Sequence, residues 1–214
     1  MFQRMNLTAI ALLALVACAG AGAGCSASTR GEKMVESFAK TRDTLGAAQG
    51  QVAITLATLQ RLRMTHADDM NHAFGRYKDA VAELEKQGTA ARRRADSMKE
   101  ESDAHIQAWQ SEMASIKDPS IKASLDSRKG AVRSNFKLVQ MYSADARKAY
   151  DPFLSTNKQI VQALSIDLSP AAITSLAGPM DRAMTEGQSL NEKIAAMQMA
   201  MNNMANGVSP IGLD

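Results

Sequence analysis

The sequence predicts an all-α protein, an elongated antiparallel bundle or coiled coil of about four long helices, and three observations carry that prediction. Aromatic residues make up only 4% of the 214, while 14 are Met and Ala, Lys, Arg and Glu abound; this is a helix-forming composition. The 5 prolines and 13 glycines are too few for a turn-rich β protein or a disordered chain. From Thr29 onward, apolar and small residues recur in alternating steps of four and three, the spacing of a helical seam, and no strand-like alternation competes. One folded domain is expected at this length. With 25 basic against 22 acidic residues the formal charge is +3, too small and too evenly mixed to point to nucleic acid.

Ahead of the helices lies an address. Residues 1–17 hold one basic side chain, Arg4, and then an uncharged apolar stretch from Leu7 to Ala17. The pattern is that of a signal peptide. It is shorter than the roughly 20 apolar residues a spanning helix needs. Leu15-Val16-Ala17-Cys18 resembles the lipobox of bacterial lipoproteins, in which the Cys thiol receives a diacylglycerol and the chain is cut just before it. Gly22-Ala23-Gly24-Cys25 offers an alternative attachment at Cys25 without the Leu, and plain cleavage after Ala21-Gly22-Ala23 is a third option. No Cys follows Cys25, so no disulfide staples the fold. Two or three acyl chains anchor a protein stably, at about 0.8 kcal/mol per buried CH₂. By resemblance to sorted lipoproteins, the absence of Asp after either Cys fits the periplasmic face of the outer membrane. Removing the signal takes away Arg4 alone among charged residues, leaving 24 basic against 22 acidic side chains. The expected plan is thus a signal at 1–17, a Gly/Ala/Ser tether at 18–30, a helical body at 31–206 and a loose tail at 207–214.

Thr29 with Glu32 reads as a capping box opening the first helix. Its seam is Met34, Phe38, Thr41, Leu45, Ala48, Val52, Thr55, Leu59 and Leu62, and Thr65 to Asp69 interrupts it and offers a fresh cap. The second seam runs Met70, Phe74, Tyr77, Val81, Leu84, Gly88, Ala91, Ala95, Met98, Ser102, His105, Trp109, Glu112 and Ile116. A helix over 68–117 would span about 75 Å, and the small residues Gly88, Ala91 and Ala95 predict a close approach by a neighbour. Asp118-Pro119 supplies a cap and a first-turn proline for the third helix. Its seam is Ile121, Leu125, Val132, Phe136, Val139, Ser143, Ala146, Tyr150, Phe153, Asn157, Ile160 and Leu164, in phase across Pro152, so a kink rather than an end is expected there. Ser169-Pro170 repeats the signal for the fourth helix, whose seam is Ile173, Leu176, Met180, Ala183, Gly187, Leu190, Ile194, Met197, Met201 and Met204. Gly178-Pro179 should break its first two turns from the rest, and Asn206-Gly207 should stop it.

Several stretches resemble one family. Trp109-Gln110-Ser111-Glu112 with Ile116, Asp118 and Ser120 is similar to its W-x-x-E…I…(N/D)-x-S signature. Tyr150-Asp151-Pro152-Phe153-Leu154 resembles its M-x-P-V-L segment, with Phe153 where the family carries Val, and Leu168 to Leu176 resembles its L-N-x-x-A-I-x-S-L segment. Thr41-Arg42-Asp43 fits as well. Over most of residues 32–205 the chain resembles the bacterial lipoprotein family catalogued as domain of unknown function twenty-nine fifty-nine. The resemblance implies a lipoprotein signal followed by long helices, and no activity.

Candidate chemistry is sparse. His66, Asp68 and His72 could be drawn as a metal site, but their spacing reads better as a solvated cluster at a helix start. His105 falls on the seam beside Trp109, where a core histidine is the simpler reading. Glu101 precedes His105 by four residues rather than three and has no second copy, which does not meet the di-iron pattern of bundles. Arg92-Arg93-Arg94 could grip phosphate, yet Asp96, Glu100 and Glu101 follow, so pairing along one wet helix face is expected. Met197, Met199, Met201 and Met204 invite copper(I), although three of them sit on the seam as fillers. No nucleophile motif, phosphate loop or zinc-protease motif is present. The sequence therefore predicts a non-enzymatic, lipid-anchored envelope protein without catalytic, cofactor or metal residues. Its partners would be the membrane, through the N-terminal lipid, and a protein or a second copy, through its helices. The alternative is a binding module holding a metal or an apolar ligand between the helices.

Overall fold

A computed structural model describes the backbone of residues 24–208 and the side chains of residues 31–205. The expected signal and Cys18 lie outside the described residues, and Cys25 is described only as part of a helical backbone. The elements are α1 (Gly24–Arg63), a single 3₁₀ turn (Ala67–Asp69), α2 (Met70–Met113), α3 (Pro119–Ile166), α4 (Pro170–Ser175) and α5 (Ala177–Val208). No strand occurs among the described residues.

The long helices run up and down around a ring: α1 packs on α2 and α5, and α3 packs on α2 and α5. Their facing seams bury a continuous apolar interior, as an antiparallel bundle requires. On α1 all nine expected seam residues are buried, from Met34 to Leu62. On α5 the eight from Met180 to Met204 are buried too. At the end holding the α1–α2 turn, Leu59, Leu62, Met70, Tyr77, Ile160, Leu164 and Met180 form one cluster. The short α4 lies across that end, with Ile173 and Leu176 against the cluster.

Two caps form as the sequence predicts. The Asp118 carboxylate accepts from the amides of Ser120 (2.8 Å) and Ile121 (3.1 Å). The Ser120 hydroxyl, which also donates to it, and then these amide bonds lower its pKa from the ordinary carboxylate value. Ser169 Oγ accepts from the Ala172 amide at 3.2 Å. A third expected cap does not form, because α1 begins at Gly24 and runs straight through Thr29. Ala, Ser and Thr at 26–29 do not break a helix, so much of the expected tether is helical. Asp69, at the start of α2, makes no side-chain cap. The break in the fourth run falls at Leu176, before Gly178-Pro179, and α5 continues through Asn206-Gly207 to Val208. α3 passes through Pro152 without interruption. Pro152 and Lys148, one turn back, are both exposed, so the carbonyl deprived of its partner can face water.

The α2 seam departs from a strict heptad. Met98 and Ser102 are buried as expected, but the next buried residues are Ile106 and Met113, while His105 and Trp109 are half-buried and Glu112 is exposed. A straight helix drifts about 20° per heptad, and one extra step of four at Ser102–Ile106 brings the apolar stripe back to its neighbours. On α3, Ile121 is exposed and Leu125 half-buried. The Arg42–Asn202 hydrogen bond (2.9 Å) sets Val208 level with α1 near residue 36. No described part of α5 therefore reaches the first turns of α3.

Two glycines set how closely the helices meet. A Cβ on Gly88 of α2 would fall on the ring and hydroxyl of Tyr150 from α3. A Cβ on Gly187 of α5 would lie 2.8 Å from Leu56 and 2.9 Å from Phe153. Tyr150 and Phe153, one turn apart on α3, thus each enter a hole that only glycine leaves open. Tyr150 also donates to the Leu84 carbonyl (3.1 Å), and Tyr77 donates to Asn157 Oδ1 (2.8 Å).

Glycine costs about 1 kcal/mol against Ala within a helix, whereas overpacking a core costs about 1–3 kcal/mol. Gly187→Ala is therefore expected to lower stability by about 1 kcal/mol. Gly130→Ala, on α3 with nothing within 4 Å of the new methyl, is expected to raise it by about the same amount. Thermal melts should move by about 2–4 °C in opposite directions; equal shifts would refute the packing account.

Burial pushes the Tyr150 hydroxyl up to about 12 and raises that of Tyr77 as well. Both stay neutral in the fold at a pH where the unfolded chain ionises them, near pH 10. Their stabilisation is full below that pH and is lost as pH rises through the folded values. The melting temperature should fall steeply above pH 10, and more gently when Tyr77 and Tyr150 are both Phe; identical slopes would refute the assignment.

Candidate functional site

The sequence-predicted site residues scatter through the bundle. His66 and Asp68 lie exposed in the α1–α2 turn and His72 lies exposed on the first turn of α2. Among the described residues no group of three or more His, Cys, Asp or Glu is placed to hold a metal ion. Met197, Met201 and Met204 are buried among apolar side chains, whereas Met199 is 62% exposed on the far side of α5. The four sulfurs therefore do not converge, since helical pitch turns Met199 away from the others. His105 is half-buried, with its ring edge-on to Trp109 at 6.0 Å, and the guanidinium of Arg128 stands 6.0 Å from the centre of that indole.

The arginine run behaves differently from the expectation of pairing along one helix. Arg92 reaches across to Asp151 of α3 and lies over the Tyr150 ring at 4.7 Å. Arg147 of α3 returns the contact to Asp96. Arg94 turns towards α1, where it donates to the Ser37 carbonyl at 3.0 Å and to Thr41 Oγ1 at 3.1 Å, while Glu101 stands 3.5 Å away. α2 has a neighbour on either side, so side chains two positions apart point to different helices. Only the exposed Arg93 remains on the wet face.

Sequence reasoning placed Thr41 and Thr55 on the seam without saying what their hydroxyls would do. The structure supplies a polar track between α1 and α2. Thr41 Oγ1 donates to the Ser37 carbonyl (2.7 Å), and Thr55 Oγ1 donates to the Gln51 carbonyl (2.9 Å). Gln51 donates across to the Ala80 carbonyl at 2.9 Å. Ser37 and Gln51 repeat at a spacing of 14, as do Thr41 and Thr55, which is a signal the sequence carries once their partners are known. Buried polar groups bonded in this way fix which residues face each other.

Two hollows accompany these features. Inside, where the small residues Ala48, Gly88, Ala91, Ala95 and Ala146 meet below Arg92 and Arg147, lies an apolar cavity of about 50 Å³. An apolar cavity of roughly 150 Å³ holds benzene, and the space beside Tyr150 is smaller than that. Outside, α1 and α2 flank a groove of about 580 Å³ lined by Lys33, Glu36, Lys40, Arg94, Glu101 and His105. Its charges alternate in sign and several already pair: Lys40 with Glu36 at 2.6 Å and Arg94 with the α1 backbone. Among the described residues, no helix is long and apolar enough to cross a membrane.

No curated protein and no solved structure matches the chain. A family model does match, over residues 26–209, which takes in every helix just described apart from the first residues of α1. The chain belongs to the family described as "Protein of unknown function (DUF2959)".

Proposed function

We propose that this is a lipid-anchored helical protein of the bacterial cell envelope. It is held at the periplasmic face of the outer membrane through Cys18, or alternatively Cys25, and acts by offering its long helix surfaces to a partner rather than by catalysis. The observation that carries the reading is the succession of two features in one chain: the lipobox-like Leu15-Val16-Ala17-Cys18, then a bundle tens of ångströms long whose seams fill their own interior. His66, Asp68 and His72 stand exposed at one end of the bundle, and His105 shares the outer groove with Glu36 and Glu101, whose carboxylates already face Lys40 and Arg94. The flanks carry ion pairs between helices, among them Arg63–Asp181 and Lys158–Glu85. Exposed pairs of this kind contribute about 0–1 kcal/mol each, so they leave the surface wet and charged, suited to a polar contact with another protein or a second copy. The alternative, a module holding a metal or an apolar ligand between the helices, would have to use an apolar space of about 50 Å³, smaller than the roughly 150 Å³ cavity that holds benzene.

Mass spectrometry of the N-terminal peptide should find the mature chain beginning at Cys18 with a diacylglyceryl group on its sulfur. Membrane fractionation should then find wild type in the membrane pellet and Cys18→Ser released from it. An unmodified Cys18, with the chain recovered from the cytosol, would refute the proposal.

A further inference from the structure

The reach of the chain between the lipid and the first helix decides which part of the bundle meets the membrane. We propose that the end formed by the α2–α3 turn rests on the lipid headgroups, with Trp109, Ile116 and Ile121 at the interface and the helices standing upright. This rests on the reading that Cys18 carries the lipid.

Three observations converge on that end. The first is helix register. Arg94 of α2 bonds Ser37 of α1. From that pair α1 runs back about 20 Å to Gly24 and α2 runs on about 28 Å to Met113, at 1.5 Å per residue. The start of α1 and the α2–α3 turn therefore share one end of the bundle. The second is length. α1 already begins at Gly24, so only six residue steps separate it from Cys18. Fully extended, they span about 20 Å. The opposite end of α1 lies about 60 Å away along a 40-residue helix. Exposed Met64 (74%) and Ile166 (83%) make that far end the more apolar in appearance, yet the short connection keeps it from the bilayer while the bundle stands. The third is chemistry. The near end exposes Ile121 (52%), half-buries Ile116 and Trp109, and surrounds them with Lys117, Lys122, Arg128 and Lys129. The acids there are Glu112, Asp118 and Asp126. Asp118 caps α3 and Asp126 pairs with Lys129 at 2.8 Å. Trp with flanking Lys and Arg is the composition favoured at a membrane–water interface. The flanks also expose Ile54, Leu138, Met141 and Met199, but among ion pairs between helices and without a Trp beside them.

Trp109 is the single Trp of the chain, which makes the test direct. Full-length acylated protein is reconstituted in phosphatidylethanolamine–phosphatidylglycerol vesicles carrying a headgroup nitroxide lipid, and flotation is measured alongside Trp fluorescence. Wild type should float and lose at least half of its Trp109 emission relative to nitroxide-free vesicles. The double variant Trp109→Phe, Met64→Trp, with an unchanged helical circular dichroism spectrum, moves the probe to the far end; it should float equally and keep its emission. Floating protein quenched equally at both positions lies flat, and floating protein quenched only at position 64 is inverted; either result overturns the docking but not the anchor. A chain that carries no acyl group and stays with the soluble fraction overturns the anchor, and the docking with it.

Discussion

Two missing methyl groups hold the register of this bundle. Gly88 on α2 and Gly187 on α5 open holes on either side of α3, and Tyr150 and Phe153, one turn apart, fill them. Each aromatic brings a large apolar surface that a chain with 4% aromatics cannot replace elsewhere. Once both are seated, α3 can slide against neither neighbour. Leu56 of α1 meets the same Gly187 hole, so α1 is fixed at the same level. The pairs Arg92–Asp151 and Arg147–Asp96 then fall into place around Tyr150, as surface contacts that follow the packing rather than cause it.

Much of this was legible in the sequence, because seam periodicity and caps are local signals. The α1 seam from Met34 to Leu62 and the α5 seam from Met180 to Met204 are buried residue for residue, and Asp118 and Ser169 cap where expected. The stretch Gly88, Ala91, Ala95 predicted a close approach but could not name Tyr150 as the visitor. What failed to show depended on neighbours. The extra step in the α2 stripe at Ile106 answers to helix drift against α1 and α3, which no single-helix pattern encodes. The exposure of Ile121 reflects how far α5 extends, and the divergence of Arg92 and Arg94 reflects helices on both flanks. Thr29 looked like a cap because its partner Glu32 was in place, yet nothing upstream stopped the helix.

The same contrast governs function. Catalysis concentrates unusual groups at one point, and such convergence leaves spacings a reader can recognise. Here His66 and His72 stand exposed at the α1–α2 turn, His105 lies in the groove with Glu36 and Glu101, three of the four clustered methionines are core, and Arg92 and Arg94 reach to neighbouring helices. Of the buried polar side chains, Thr41, Gln51 and Thr55 donate to backbone carbonyls and the Ser37 hydroxyl accepts from Arg94, matching α1 to α2, while Asn157 accepts from Tyr77 and ties α3 to α2. On the proposed function, an anchor at one end and a long charged surface beyond it would spread the work over many weak contacts, set by which end α1 starts from and how far the bundle extends.

The claim that aromatic knobs in glycine holes fix the bundle is open to a double-mutant cycle. Stabilities are measured by urea denaturation for wild type, Gly88→Ala, Tyr150→Ala and the double variant. If the hole exists to admit the ring, Gly88→Ala should destabilise the wild type by about 2 kcal/mol, the upper end of overpacking less the helix preference of Ala. With the ring removed by Tyr150→Ala, it should be neutral or stabilising by up to about 1 kcal/mol, the helix preference of Ala. Equal effects in both backgrounds would show that Gly88 and Tyr150 act independently, and the account of the bundle would be wrong.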